Sequence, residues 1–235
     1  MVVDMAAEEK QMTVEDFIEL SGSRAQTYLF LASLFYYDSL PALKKSIRNK
    51  SILKGLPPSG RGFKLLKKYV EEDAPKIKNL LEELQVEHTA LFVMGKFTKG
   101  RPYESFYLDK DKRIGGRVSL EVDRFYKSAG VSFTEAQDEI ADYIAIELEF
   151  MYHMCKREEE AWREGDREHA IGYLKFQRDF LTGHLGKWVD PFVEDTLEDA
   201  KSDFFRAACY LLQEFMEIEK AEIHGLVEEA EKIPA

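Results

Sequence analysis

The sequence of 235 residues has few of the features that mark a metal or disulfide site. It contains two cysteines, Cys155 and Cys209, each inside an apolar helical pattern and with no CxxC motif or Cys/His cluster around it. A zinc site and a disulfide framework are therefore disfavoured, and buried free thiols are expected. The five histidines show no ligand spacing, so we expect no metal and no cofactor.

The motifs of the common enzyme classes are also absent. The sequence has no GxGxxG, GxxxxGK[ST], GxSxG or HExxH, so nucleotide loops and the common hydrolase and protease centres lack their defining residues. Residues 1–11 are polar and acidic with no export signal, and no apolar run approaches the length of a membrane span. We predict a cytoplasmic protein with no catalytic residues and no stable membrane insertion.

The charge balance is acidic. A formal net charge of -11 and a pI of about 5.1 disfavour nucleic acid and anionic membranes as partners and would attract a basic ligand. Many acidic proteins, however, are acidic only for solubility. Hydrophobic residues make up 45% and charged residues 33%, as in ordinary globular proteins.

Apolar residues recur at helical spacing along most of the chain, and no stretch alternates as a β-strand does. We predict an all-α fold with a flexible tail over residues 1–12 and a single globular domain of about nine to eleven helices over residues 13–232. Thr13 is placed to cap the first helix, Gly22 is expected to weaken or kink it, and Pro41 suits the start of the second. Longer helices are predicted over residues 13–38, 63–70, 74–92, 118–128, 135–163, 167–182, 199–216 and 218–231.

Three segments interrupt the helical pattern. Residues 50–62 form a glycine- and proline-rich loop with an excess of positive charge, and residues 184–196 are turn-rich around Pro191. Residues 94–117 form a longer loop whose aromatic residues argue against disorder. Long loops inside compact domains are usually functional, so this third segment is the predicted motif loop.

The helix predicted over residues 135–163 carries an acidic face. Glu139, Asp142, Ile146, Glu149 and His153 follow one another at intervals of three or four residues, which would place them on one side of a helix. Such a face is either solvated and paired with internal cations, or a cradle for guanidinium groups. A di-iron site is disfavoured because the sequence has no Glu-x-x-His.

Three segments in this order resemble the TorD/DmsD/NarJ family of redox-enzyme maturation chaperones. They are HTALF ending at Phe92, PYESFYLD over residues 102–109, and EIADYIAIELEFM over residues 139–151. The resemblance implies a TorD-like helical chaperone that binds the twin-arginine signal peptide or N-terminal region of the precursor of a molybdenum-cofactor oxidoreductase catalytic subunit. The peptide-binding residues it implies are Leu91, Phe92, Tyr103, Glu104, Ser105, Tyr107, Gly116, Glu139, Asp142, Tyr143 and Glu149.

The third segment departs from the family pattern, in which Glu is followed by a frequent Pro, any residue, Asp and His. Here Ile140 and Tyr143 replace the proline and the histidine, so the titratable imidazole is lost. Our hypothesis is that Asp142, with Glu139 or Glu149, receives guanidinium groups of the client. Apolar parts of the client would contact four further residues: Leu91, Phe92, Tyr103 and Tyr107.

Two alternatives stay open from the sequence. The client could be a nitrate-reductase-like subunit that faces the cytoplasm and has no twin-arginine leader. Less favoured is a small enzyme that uses the acidic face for acid/base chemistry, which would require paired carboxylates with shifted pKa values in a closed cleft. The sequence is compatible with a monomer or a homodimer.

Overall fold

The computed structural model describes residues 11–93, 98–132 and 140–234, and these ranges contain ten α-helices and no β-strand. The prediction of an all-α fold with nine to eleven helices is confirmed. Tails of π-helix extend two of the helices, over Tyr69–Asp73 and Thr89–Val93. The helices are α1 (Val14–Phe35), α2 (Leu40–Arg48), α3 (Arg61–Lys68), α4 (Leu80–His88), α5 (Glu104–Leu108), α6 (Gly116–Ser128), α7 (Ile144–Glu164), α8 (Arg167–Gly183), α9 (Leu185–Asp199) and α10 (Asp203–Lys232).

Helices α1 and α7 pack side by side at the centre of the core. Thr13 caps α1 as predicted, in a reciprocal capping box with Asp16. Helix α1 runs without a break through Gly22. A Cβ at this position would lie 3.2 Å from the carboxyl carbon of Glu159, so the glycine allows α7 to approach closely.

The start of α7 differs from the prediction. In the described ranges the helix begins at Ile144 with Tyr143 as its N-cap, and residues 140–142 are not helical. Residues 133–139 lie outside the described residues. The predicted continuous acidic face from Glu139 to His153 is therefore wrong, because Asp142 precedes the helix.

The C-terminal third also differs from the sequence prediction. The turn-rich segment is helix α9, with Pro191 inside it, and the two predicted final helices are the single helix α10. Proline removes one backbone donor, but tertiary packing outweighs that loss because one side of α9 is fully buried. Its buried residues are Leu185, Trp188, Val189, Phe192, Val193 and Thr196.

A buried polar network joins α1, α7, α8 and α10. The Arg24 guanidinium donates to both carboxylate oxygens of Glu219, at 2.8 and 2.7 Å, and lies 3.7 Å from Glu158. Gln177 and Trp162 donate to Glu158 at 2.7 and 3.3 Å. Paired and hydrogen-bonded in this way, the buried charges meet the condition for tolerable desolvation.

Other observations agree with the sequence. Cys155 and Cys209 are buried free thiols, as expected. Pro41 lies at the second position of α2. Among the helices of the described ranges, none has an apolar stretch long enough to cross a membrane.

The network makes stability depend on pH. Burial raises the pKa of Glu158 to about 7, against the opposing charge of Arg24. A carboxyl group with a raised folded pKa contributes stability that is complete below its unfolded pKa and is lost as the pH rises through the folded value. Between about pH 5 and pH 8, we expect the unfolding free energy of the wild-type protein to fall by on the order of 3 kcal/mol relative to that of Glu158→Gln.

Urea unfolding followed by circular dichroism at several pH values measures this difference. The test is how the difference in unfolding free energy between the two proteins changes with pH. A Glu158→Gln variant that is less stable than wild type at every pH does not contradict the prediction. Curves for the two proteins that run parallel across the range would show that Glu158 does not titrate there.

A glycine contact between α3 and α10 gives a second prediction. A Cβ at Gly62 would lie 2.6 Å from the backbone nitrogen of Leu211, so Gly62→Ala must push the helices apart and should cost about 1–3 kcal/mol of unfolding free energy. Gly172 in α8 has open space around it, and Gly172→Ala should add about 0.5–1 kcal/mol. Thermal and urea unfolding of both variants check the pair, and equal effects would contradict the packing argument.

Candidate functional site

Two distant chain segments meet at a short antiparallel bridge between Tyr103 and Tyr143. The Glu104 amide donates to the Asp142 carbonyl at 3.0 Å, and the Ile144 amide donates to the Pro102 carbonyl at 2.9 Å. The bridge brings the second and third segments of the sequence motif together. It also starts both α5 and α7, since each helix begins immediately after its bridged residue.

Asp142 fixes this junction. Its side chain is fully buried, and Oδ2 accepts a hydrogen bond of 2.8 Å from the Ser105 amide in the first turn of α5. A carboxylate is well suited to this position because helix N-termini carry unpaired amide groups and partial positive charge. Asp142 therefore holds the motif loop in place, and it does not face solvent.

The motif loop closes on Ser105. The Ser105 hydroxyl accepts a hydrogen bond of 2.9 Å from the Gly115 amide. Gly115 and Gly116 have φ values of +83° and +77°, a conformation that favours glycine. Gly116 was implied by the resemblance as a peptide-binding residue, and its neighbour Gly115 donates the hydrogen bond that closes the loop.

A pair of glutamates lies under the loop. Glu104 is 2% exposed and Glu147 is fully buried. Burial, and next the negative charge of Glu104, hold the pKa of Glu147 well above its usual range. The Trp188 indole donates to Glu147 at 3.0 Å, and His184 Nδ1 lies 3.0 Å from Glu104.

This arrangement favours the protonated form of Glu147, as expected for a carboxyl group that lies in a dry site beside a second one. Within the described ranges, no group of three or more His, Cys, Asp or Glu side chains is arranged to hold a metal ion. Through their hydrogen bonds with His184 and Trp188, the two buried carboxyl groups connect the loop and the start of α7 to α9.

The end of α1 connects the remaining motif residues. The Tyr143 hydroxyl donates to the Phe35 carbonyl at 2.6 Å, and the Phe35 ring contacts the Phe92 ring at a centroid distance of 5.6 Å. Phe92 is 4% exposed within an aromatic cluster. Next to Phe35, the Tyr36 ring packs 6.2 Å from Tyr143.

Glu149 is the partly exposed carboxylate of this region. The Tyr36 hydroxyl donates to it at 2.6 Å, and His153 lies 3.8 Å away. The nearby His153 imidazole, and then the hydrogen bond from Tyr36, lower the pKa of Glu149 although its burial works against the shift. Glu149 is therefore ionised and accessible from solvent.

Tyr107 lies on the side of α5 that faces α9. Its ring stacks on Trp188 at 5.7 Å, and its hydroxyl accepts from the Arg101 amide at 3.2 Å and donates to Asp195 at 3.3 Å. Burial raises the pKa of Tyr107. Tyr107 thus anchors the loop to α9.

A groove of about 850 Å³ runs between α4 and the corner that joins α9 to α10. We call it the acidic groove. Its apolar floor includes Leu91, which is buried, and Val86, which is 65% exposed. The residues that line it are Asn79, Glu82, Glu83, Val86, Glu87, Ala90, Leu91, Thr98, Asp199, Lys201 and Ser202.

The groove carries four carboxylates and one lysine, a net charge of -3. Glu87 ties α4 to the corner by accepting hydrogen bonds from the Lys201 and Ser202 amides at 2.7 and 2.9 Å. Asp199 accepts from the Lys99 amide at 2.6 Å. The Glu83 carboxylate is exposed and forms no hydrogen bond or ion pair with the described residues, so its charge faces the open cleft.

The structure separates the predicted site residues into groups. Glu104, Ser105, Asp142, Tyr143 and Phe92 are buried supports, while Leu91 lines the acidic groove. Tyr103, Tyr107 and Glu149 are half-buried around the bridge, and Gly116 is exposed at the start of α6. Glu139 and residues 94–97 of the motif loop lie outside the described residues.

Sequence reasoning missed five residues that complete this site. The sequence holds a signal for two of them: Glu147 lies inside the third motif segment, where a buried carboxyl group needs a partner, and Tyr36 continues the aromatic run that starts at Phe35. The others come from segments distant in the sequence. The missed residues are Phe35, Tyr36, Glu147, His184 and Trp188.

The fold and the site match known proteins. A family model described as nitrate reductase delta subunit matches residues 58–194, which is more than half of the chain. The chain therefore belongs to the nitrate reductase delta subunit family. Membership confirms the resemblance drawn from the three sequence segments.

Named relatives agree with this assignment. The chaperone protein TorD of Vibrio parahaemolyticus is 26% identical over 211 residues, covering 86% of this chain and 95% of that protein. A chlorate reductase assembly chaperone protein from Ideonella dechloratans is 28% identical, covering 74% and 77%. A selenate reductase assembly chaperone protein from Thauera selenatis is 33% identical over 113 residues, covering 47% and 56%.

A solved structure shows the same fold. The crystal structure of a protein from Archaeoglobus fulgidus assigned to redox enzyme maturation matches with a TM-score of 0.50 and 22% identity, covering 83% of this chain and 93% of that one. Together, the family and its named members confirm the prediction of a chaperone rather than an enzyme.

Two variants distinguish the hydrogen bond that Asp142 accepts from its negative charge. Asp142→Ala leaves the buried Ser105 amide without an acceptor and should cost about 1–3 kcal/mol of unfolding free energy. Asp142→Asn retains an acceptor oxygen and should cost less. Hydrogen exchange of residues 102–108 should accelerate strongly in the alanine variant and weakly in the asparagine variant, and equal acceleration would exclude the hydrogen bond as the cause.

Proposed function

We propose that this protein is a chaperone for the catalytic subunit of a molybdenum-cofactor oxidoreductase and that it binds the N-terminal region of the precursor before assembly. The observation that carries the proposal is the acidic groove, an open cleft with an apolar floor and carboxylate walls. Support comes from the names of the relatives, which are chaperones of reductase assembly. Residues 13–232 act as one chaperone domain in this proposal.

The groove has the chemistry that a basic, partly apolar peptide requires. Leu91, Val86 and Ala90 offer an apolar surface to a few apolar side chains of the peptide. The Glu83 carboxylate faces the cleft from its wall. Carboxylates bind guanidinium groups through two parallel hydrogen bonds, and the excess negative charge steers a cationic segment toward the site. A client leader with arginines next to apolar residues fits this arrangement.

The other predicted residues have two roles in the proposal. Tyr103 and Glu149 form a second, half-buried contact area beside the bridge, and Tyr107 is a half-buried contact on the α9 side of the motif loop. The buried residues Glu104, Ser105, Asp142, Tyr143 and Phe92 are positioning residues that keep the motif loop and α4 in place. Gly116 gives the loop its closing conformation, and Glu139 remains a predicted contact for client arginines.

The proposal includes a cytoplasmic location and a twin-arginine leader on the client. A second candidate client is a nitrate-reductase-like subunit without that leader, and the description of the matched family favours it. The two clients differ in the arginine pair, so peptides from both kinds of subunit distinguish them.

Calorimetry with synthetic N-terminal peptides from the molybdoenzymes of the same source tests the proposal. Val86→Asp puts a charge on the floor of the groove and should weaken peptide binding by about tenfold or more, since an apolar contact becomes a charged one. Val93→Asp is the matched control, because Val93 is 66% exposed and does not line the groove. Binding should also weaken with salt and on replacement of client arginines by alanine.

The outcomes separate the proposals clearly. Loss of affinity in Val86→Asp with unchanged affinity in Val93→Asp places the peptide in the acidic groove. Equal affinity in both variants would move the peptide to the contact area around Tyr103 and Glu149. No binding to any N-terminal peptide would overturn the proposed client recognition.

A further inference from the structure

A second groove lies on the other side of the α9–α10 corner and has the opposite charge. It holds about 540 Å³ between α3 and α10. We call it the basic groove. Its lining residues are Arg61, Lys64, Leu65, Lys68, Leu197, Asp203, Arg206 and Tyr210.

Four cations and one carboxylate give the basic groove a net charge of +3 in a chain whose formal net charge is -11. The carboxylate, Asp203, is already paired with Lys68 at 2.6 Å. Glu214 is nearby, but it accepts hydrogen bonds from the backbone amides of Arg61 and Gly62. Across the described ranges, the side chains of Arg61, Lys64 and Arg206 form no ion pair.

Two of these cations are held in place without being neutralised. The Arg61 guanidinium lies 3.8 Å above the centre of the Tyr210 ring, which fixes its plane. Arg206 donates through Nε to the Ala200 carbonyl at 2.9 Å, so its two terminal nitrogens stay available for another acceptor. Lys64 is exposed one helical turn after Arg61 and adds a mobile ammonium group.

We propose that the basic groove binds a compact anion that carries two or more phosphoryl groups. Guanidinium groups bind phosphate oxygens through pairs of hydrogen bonds, and lysine adds a point charge. Three unneutralised cations call for more than one negative charge. The cations stand on both walls of the cleft, so they surround an anion of this size, while the apolar side chains of Leu65 and Leu197 lie beside them.

A long polyanion fits this groove poorly. Helix α3 has eight residues, about 12 Å in length, and the chain becomes acidic immediately after it at Glu71, Glu72 and Asp73. Nucleic acid or an extended acidic protein segment would meet those carboxylates. The positive charge of the cleft therefore does not continue past the C-terminal end of α3.

Calorimetric titration of inorganic pyrophosphate into the full chain, without divalent cations and at fixed ionic strength, tests the proposal. Lys64→Gln and Arg61→Gln should each weaken pyrophosphate binding by about tenfold or more, because each removes one charge-assisted contact. Lys67→Gln is the matched control, since Lys67 is exposed on the same helix and does not line the groove. Lys64→Gln removes no internal hydrogen bond, and circular dichroism checks that it folds.

Stronger binding of pyrophosphate than of sulfate at equal ionic strength, lost in Lys64→Gln and kept in Lys67→Gln, supports the site. Equal binding of sulfate and pyrophosphate, or equal losses in Lys64→Gln and Lys67→Gln, would overturn the proposal. So would displacement of pyrophosphate by a short polyglutamate peptide that binds more tightly, which would assign the groove to an acidic protein. The client peptide plays no part in these readouts, so this proposal and the proposed function can fail separately.

Discussion

The need to satisfy buried carboxyl groups is the constraint on which the arrangement of the helices depends. Helix α7 carries Glu147 near its start and Glu158 three turns later, and both are buried in the core. A buried carboxyl group without hydrogen bonds would cost several kcal/mol, so each glutamate must draw partners from other helices. Trp188 of α9 reaches Glu147, and Arg24 of α1 approaches Glu158. Helices distant in the sequence are thereby fixed around α7.

Local sequence patterns predicted most of the helices because their apolar residues follow the helical period and their ends carry capping signals, such as Thr13. The patterns failed where tertiary contacts decide the backbone. The helical period of the sequence continues through Asp142, but this residue lies before α7, where its carboxylate accepts a hydrogen bond from the Ser105 amide of the motif loop. Around Pro191 the local turn signals are outweighed by burial of one helix face.

In the candidate site, too, some features follow from the local sequence and others depend on tertiary contacts. The motif residues could be found from their order along the chain, since they form the bridge and its supports. The walls of the acidic groove could not, because Glu83 and Asp199 are brought together only by the packing of α4 against the α9–α10 corner. Residue type alone also did not distinguish a contact from a support: Asp142 and Glu149 are both acidic, yet one is fully buried and the other accessible.

The two buried glutamates also give the molecule a built-in optical probe. The chain has two tryptophans, and each indole donates its N–H to one of these carboxyl groups, Trp162 to Glu158 and Trp188 to Glu147. An indole's excited state has a large dipole, so its emission responds to a charge that appears or disappears at hydrogen-bonding distance. Trp162 therefore reports on the polar network beneath α1, and Trp188 on the glutamates under the motif loop. Replacing one tryptophan at a time would let the emission spectrum observe each of these two interior regions separately.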